Sequence, residues 1–128
     1  MLRRIVRLGA LVPLVAVLLI PETASAGPTK PTTTVAISKG TVVTGGVDIT
    51  LKYSCFPSGY GPYGTFGDVR VAQANGVTGD TFFRPTCNDQ AQTQDIFVPG
   101  NFTPADAAVS AFICGFDCNS ATREIRLH

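Results

Sequence analysis

Tryptophan is absent from this chain of 128 residues, and its single histidine is the last residue, His128. Ser-His-Asp triads and Cys-His pairs need an imidazole held on a rigid scaffold, so the sequence predicts neither arrangement. We expect the chain to be frayed at His128 rather than to hold a ligand there. Charged residues are also scarce, at 15% of the chain. These absences favour a protein that is not an enzyme.

A long apolar run occurs only near the start of the chain. Three arginines precede the run, which extends from Leu8 to Ile20, and small side chains follow it at positions 24–26. This order predicts a secretory signal peptide at residues 1–26, cleaved between Ala26 and Gly27. The run is shorter than the roughly 20 apolar residues of a membrane-spanning helix. We therefore predict secretion without a stable membrane anchor.

Removal of the signal peptide would reverse the sign of the net charge. Residues 1–26 carry three arginines and one glutamate, so seven basic and eight acidic side chains remain in the rest of the chain. The basic residues are scattered, and the sequence predicts no nucleic-acid binding. Residues 27–31 are expected to form a mobile tether, and residues 32–128 are long enough for one domain.

Apolar and polar residues alternate in steps of two along this domain, and no segment keeps a helical period. The clearest alternation, Val47 to Cys55, predicts a half-buried strand with the cysteine on its inner face. Asn75-Gly76 predicts a tight hairpin turn, because both residues tolerate positive φ angles. Residues 107–114 predict a strand buried on both sides or nearly so. About seven short strands of this kind predict an all-β, antiparallel, immunoglobulin-like β-sandwich.

Four cysteines follow the predicted signal peptide: Cys55, Cys87, Cys114 and Cys118. An even number in an exported chain predicts disulfides, and four cysteines allow three pairings. We favour Cys55–Cys87 as a link between the two halves, with Cys114–Cys118 as a local staple. The pairing Cys55–Cys114 stays open, because it would join two central strands. A zinc site needs reduced thiolates, so we expect no metal and no cofactor.

The first candidate binding segment is the loop at residues 56–66, where four aromatic residues lie among glycine and proline. Tyr60 and Tyr63 are the predicted contact residues, because their rings offer contact area and their hydroxyls can face water. We expect Phe56 and Phe66 to tuck beneath the loop as a small satellite core.

The second candidate segment is the short loop between Cys114 and Cys118, which carries Phe116 and Asp117. Binding residues are often placed on loops, and loops at one end of a sandwich lie close together. We therefore expect the two loops to share one surface.

Several segments resemble small secreted β-sandwich proteins of actinobacteria. The resemblance rests on Ile49–Cys55, Val69–Val71, Cys87 with the glutamine-rich strand after it, and Phe102–Val109. It implies an exported immunoglobulin-like sandwich. The chain also resembles, more weakly, the immunoglobulin-like chromoproteins that carry enediyne drugs, which have two disulfides, one closing a short loop. Their cleft residues do not align with this chain, and Phe112 stands where immunoglobulin domains have a tyrosine.

Three functions follow as hypotheses. The leading one is a secreted module that binds a protein, a glycan or a small molecule through its loops. The second is a carrier of an apolar small molecule in a sandwich cleft. The third is a carboxylate-dependent hydrolase, which needs two acids within about 10 Å in a cleft. Its candidate acids are scattered singly: Asp48, Asp68, Asp80, Asp89, Asp95, Asp106, Asp117 and Glu124.

Overall fold

The computed structural model describes residues 32–59 and 64–128. In this part of the chain the secondary structure is seven antiparallel strands in two sheets, without an α-helix. The strands are β1 (Thr34–Val43), β2 (Gly46–Ser54), β3 (Phe66–Ala72), β4 (Thr78–Phe83), β5 (Gln92–Pro99), β6 (Asp106–Cys114) and β7 (Cys118–Arg126). The predicted all-β architecture with about seven strands is confirmed, while its immunoglobulin-like identity stays a prediction.

Some predictions fall outside the described residues. These are the signal peptide at residues 1–26, its cleavage between Ala26 and Gly27, and the tether at residues 27–31. The loop residues Tyr60 and Tyr63 lie outside them as well. The described residues all belong to one compact unit, Pro31–His128.

The strands form a three-stranded sheet in the order β1-β2-β5 and a four-stranded sheet in the order β4-β3-β6-β7. Strand β1 packs beside β7, and β4 packs beside β5. Alternate residues of both sheets point inward and form one apolar core. Its fully buried side chains include Val47, Ile49, Leu51, Val69, Val71, Val98, Val109, Ile113 and Leu127. The core explains why the period-two pattern persists along the chain, since one face of each strand must be apolar.

Two local predictions are confirmed. Strand β2 buries its apolar residues and Cys55, which follows it, is also buried. The turn at Asn75-Gly76 joins β3 to β4, with Gly76 at φ 91°. The Gln73 amide closes this turn by donating to the Val77 carbonyl at 2.9 Å. Local sequence chemistry was sufficient for both elements.

Strand β6 differs from its prediction. Ala107, Val109, Ala111 and Ile113 are buried, but Ala108 and Phe112 on the other side are exposed. The strand has a core on one face only, because no further layer of the described structure covers the four-stranded sheet. The prediction that residues 107–114 are buried on both sides is therefore wrong.

The chain end is also different from expectation. The Val42 amide donates to the His128 carbonyl at 2.7 Å, and the His128 amide donates to the Gly40 carbonyl at 3.2 Å. Leu127 is buried beside Gly40, and the two residues form a parallel bridge. The expectation of a frayed end at His128 is wrong for the backbone, because β1 binds it.

The disulfides are Cys55–Cys87 and Cys114–Cys118, with Cα–Cα distances of 4.6 and 4.0 Å. The favoured pairing is confirmed and Cys55–Cys114 is excluded. Two disulfides are consistent with an extracellular or otherwise oxidising environment. Within residues 32–59 and 64–128 no helix is long and apolar enough to cross a membrane.

Candidate binding surface

The outer face of the four-stranded sheet carries the even-numbered residues of β3, β4, β6 and β7. The odd-numbered residues of β3 and β6 are buried, and those of β4 are half-buried. The strand register then fixes which outward side chains are neighbours. Phe82, Asp68, Phe112 and Ser120 form one row across the sheet. Asp80, Arg70, Ser110 and Thr122 form the adjacent row.

Three phenylalanines on this outer face are exposed to solvent, and we call the surface that they form the aromatic face. Phe82 is 72% exposed, Phe66 is 44% exposed and Phe112 is 37% exposed. The rings of Phe66 and Phe112 are in contact, with centroids 5.8 Å apart. All three residues are on strands, so the backbone ladder holds their Cα atoms in place.

The predicted loop pair continues this surface at one end of the sheet. The Phe116 amide donates to the Phe56 carbonyl at 2.8 Å, and the two rings meet edge to face with centroids 6.5 Å apart. Gly115 brings the loops together, because a Cβ there would lie 2.5 Å from the Phe56 carbonyl oxygen and 3.0 Å from Cys87 Sγ. The structure thus places Phe56, at the start of the first loop, beside the second loop. Phe56 and Phe66 are exposed, so the prediction that they form a satellite core is wrong.

Asp117 lies in this loop with its carboxylate directed to the start of the domain. The buried Thr33 amide donates to Asp117 Oδ1 at 2.8 Å, and the Thr33 hydroxyl lies 2.6 Å from the same oxygen. The Asn119 side-chain amide donates to the Thr33 carbonyl at 2.8 Å. These bonds occupy one oxygen of the predicted binding carboxylate and join the loop to β1.

Replacement of Asp117 with alanine is expected to lower the free energy of unfolding by about 2 kcal/mol, because it leaves the buried Thr33 amide without its acceptor. The Thr33 hydroxyl keeps a partner, since it also donates to the backbone carbonyl of residue 117 at 2.9 Å. Urea unfolding followed by circular dichroism measures the loss. Asp117→Asn keeps an acceptor oxygen and should recover most of the stability, whereas the exposed control Asp80→Ala should change it by less than about 0.5 kcal/mol. Equal losses for alanine and asparagine would contradict a role for the acceptor.

Asp68 lies between two rings of the aromatic face and is paired with Arg70 of the adjacent row. Arg70 Nε donates to Asp68 Oδ2 at 3.0 Å, and the Asp68 side chain is only 12% exposed. Its other oxygen, Oδ1, is buried and has no hydrogen-bond partner among the described residues. Phe82 and Phe112 are the cross-strand neighbours of Asp68 on its two sides. A buried acceptor is therefore flanked by two exposed rings.

A groove of about 560 Å³ adjoins the aromatic face along the second row. Its floor is formed by small side chains: Ala72, Gly79, Ala108, Ser110 and Thr122. Arg70 and Asp80 also line the groove. Volumes of this order are typical of small-ligand sites, although this groove lies open on a sheet surface.

The outer face of the three-stranded sheet is different in character. Thr50 donates to Asp95 Oδ1 at 2.6 Å, and Lys52 is exposed beside them. Phe97 is the one exposed large apolar side chain of the described residues on that sheet. Exposed aromatic area is thus concentrated on one side of the molecule.

The described residues offer little support for metal or acid–base chemistry. Among them, no group of three or more His, Cys, Asp or Glu side chains is placed to hold a metal ion. Asp68 and Asp80 lie diagonally on neighbouring strands, where residues are about 7–8 Å apart. Glycoside hydrolysis needs two carboxyl groups that face one cleft, and only Asp80 of this pair lines the groove. The absence of enzymatic activity stays a prediction.

Comparison with protein-family models, with curated proteins and with solved structures found no match for this chain. The class that its own fold and surface define is a disulfide-bonded antiparallel β-sandwich with an aromatic outer face. The sequence had pointed to the loops at the end of this face. The face itself was missed because its rings come from three separate strands.

Proposed function

We propose that this chain is an exported, non-catalytic binding module whose ligand contacts the aromatic face and the loop end beside it. One observation carries the proposal. Of the six exposed large apolar side chains among residues 32–59 and 64–128, five lie on this side of the molecule: Phe56, Phe66, Phe82, Phe112 and Phe116. Single exposed apolar residues are ordinary, but a contiguous apolar surface rimmed by polar groups is typical of an interaction site.

The physical chemistry of the surface suits binding. Covering a phenylalanine ring removes apolar area from water and contributes up to about 1.5–3 kcal/mol for a full side chain. The rings are fixed on strands, and phenylalanine has only two side-chain torsions to order. The entropy lost on binding is therefore small compared with that of a flexible loop.

The predicted export fits the same proposal. The predicted signal peptide would deliver the chain to an oxidising compartment, where both disulfides form. The two disulfides lie next to each other behind the loop end, since Gly115 contacts the Cys55–Cys87 bridge. They would hold the loop end in shape outside the cell. Tyr60 and Tyr63 stay predicted contact residues of the adjoining loop.

A carrier of an apolar small molecule is the second candidate function. The groove favours it, because about 560 Å³ beside exposed rings is enough space for a compact ligand. The groove is open along the sheet, whereas carriers commonly enclose most of the ligand surface. A binding module for an extended ligand fits the geometry better.

A panel of named probes tests the proposal. The full-length sequence is expressed under conditions of export and disulfide formation, and the purified product is titrated with cellohexaose, Nile red and a lysine-alanine helical peptide. Binding is mapped by backbone amide chemical shifts. We expect the perturbed amides to belong to β3, β4, β6 and the loop end. If no probe perturbs these residues, or if β1 and β5 respond instead, the proposal is wrong.

The variant Phe66→Ser, Phe82→Ser, Phe112→Ser is expected to weaken binding of the active probe at least tenfold. Each replaced ring is already exposed, so the fold should persist. Phe97→Ser on the opposite sheet is the matched control, and its affinity should equal that of the unchanged chain. Similar affinities for the triple variant and the control would contradict the assigned surface.

A further inference from the structure

We infer that the ligand of the aromatic face is a neutral β-linked polysaccharide whose chain lies across the strands, with a sugar hydroxyl donating to Asp68. This inference rests on the proposed function and adds the class of ligand. It is carried by three features of the outer face: the spacing of the rings, the unpaired acceptor between them and the polar row that runs beside them.

The spacing of the rings suits a flat repeating ligand. Phe82 and Phe112 lie in one row with β3 between them. Their Cα atoms are two inter-strand spacings apart, about 10 Å. This is close to the length of one disaccharide in an extended β-linked chain. Pyranose rings present apolar C–H faces, so one chain can stack on both phenylalanines at successive repeats.

The unpaired carboxylate oxygen of Asp68, between the two rings, favours a ligand that carries a hydrogen-bond donor. Asp68 Oδ1 is buried without a hydrogen-bond partner in the described part of the chain, while Oδ2 is bound to Arg70. A carboxylate oxygen accepts more than one hydrogen bond, and buried acceptors in proteins are nearly always paired. This oxygen is closed to solvent in the structure, so a ligand hydroxyl reaches it once a side chain around it moves aside. Sugars provide such hydroxyls at the rim of each apolar face.

The adjacent row provides hydrogen bonds along the same direction. Asp80, Arg70, Ser110 and Thr122 cross the sheet parallel to the ring row. They offer both donors and acceptors on short or exposed side chains. An aromatic row beside a polar row matches a ligand that is apolar on its faces and hydroxylated along its edges.

The charges on the outer face of the four-stranded sheet disfavour other classes of ligand. The outward even-numbered residues of the four strands include four acids and two arginines: Asp68, Asp80, Asp106, Glu124, Arg70 and Arg126. A net negative face disfavours anionic ligands. A purely apolar ligand would cover Asp80 without offering it a donor, which interfaces generally avoid. A neutral ligand with hydroxyl groups avoids both the charge repulsion and the loss of hydrogen bonds.

The test compares sugars that differ in linkage. Cellohexaose and hexa-N-acetylchitohexaose are the neutral β-linked probes, and maltohexaose, whose α-linked chain coils, is the control. The purified product of the full-length sequence is titrated with each, and affinities are taken from amide chemical shifts. We expect at least one β-linked probe to perturb β3, β4 and β6, with at least tenfold weaker binding of maltohexaose.

Two variants test the residues. Asp68→Ala is expected to weaken the β-linked probe about tenfold, since it removes the acceptor, while Asp106→Ala on the same face should leave the affinity unchanged. Phe82→Ala should also weaken it about tenfold, and this residue is exposed enough that its loss leaves the fold intact. Unchanged affinity in both Asp68→Ala and Phe82→Ala would overturn the inference.

The outcomes separate this inference from the proposed function. If Nile red or the peptide perturbs the aromatic face and no β-linked sugar does, the polysaccharide is wrong and the binding module stands. Equal binding of maltohexaose and cellohexaose would overturn the flat-chain argument. If nothing in the panel perturbs the face, both proposals fail.

Discussion

Replacement of both Cys55 and Cys87 with alanine is expected to lower the free energy of unfolding by about 3.5–4 kcal/mol. The bridge closes a separation of 32 residues, and in the chain-entropy model the stabilisation grows with the logarithm of loop length. The same change at Cys114 and Cys118, which are four residues apart, should cost about 2 kcal/mol. Small domains are stable by only about 5–15 kcal/mol, so the first loss is a large share of the total.

Urea unfolding of the unchanged chain and of both double variants measures the difference. The unfolding midpoint should fall further for the long-range bridge, and the m-value should rise in both variants because the unfolded chains become less compact. Equal losses in the two variants, or a greater loss from the short loop, would contradict the loop-length argument.

Leu127→Ala is expected to lower the free energy of unfolding by about 3 kcal/mol, although the residue is next to the last. Its side chain is 1% exposed and fills the space above Gly40, where an added Cβ would lie 2.6 Å from Leu127 Cδ2. Truncation leaves a cavity that this closely packed site cannot easily collapse, and buried leucine-to-alanine changes typically cost 2–5 kcal/mol.

His128→Ala is the control for this prediction. The imidazole is exposed, and the hydrogen bonds of His128 to β1 come from its backbone, which alanine retains. Thermal and urea unfolding should give values within about 0.5 kcal/mol of the unchanged chain. A loss below about 1 kcal/mol for Leu127→Ala would show that the end of the chain contributes little to the core.

The elements that could be predicted from the sequence are those specified by neighbouring residues. The alternation in β2 and the Asn75-Gly76 turn depend on side chains a few positions apart, so pattern and turn chemistry are enough. The short Cys114–Cys118 bridge is of the same kind. The long bridge followed from the even count and from a preference for linking the two halves.

The aromatic face could not be predicted in this way. Phe66, Phe82 and Phe112 belong to three strands, and they share one side only because β4, β3 and β6 are adjacent in a defined register. Alternation does require one of the neighbouring pair Phe82 and Phe83 to point away from the core. It does not indicate whether another layer covers that side, which is also why β6 was expected to be buried on both faces.

The backbone bonds between β1 and the end of the chain have a mechanical consequence. The chain segments around Gly40 and Leu127 run parallel, and the Val42 amide donates to the His128 carbonyl. Tension between Thr33 and His128 would pull these parallel segments from opposite ends, so their hydrogen bonds would be loaded together in shear rather than opened one at a time. The first barrier to extension would then be at the β1–β7 side of the sandwich.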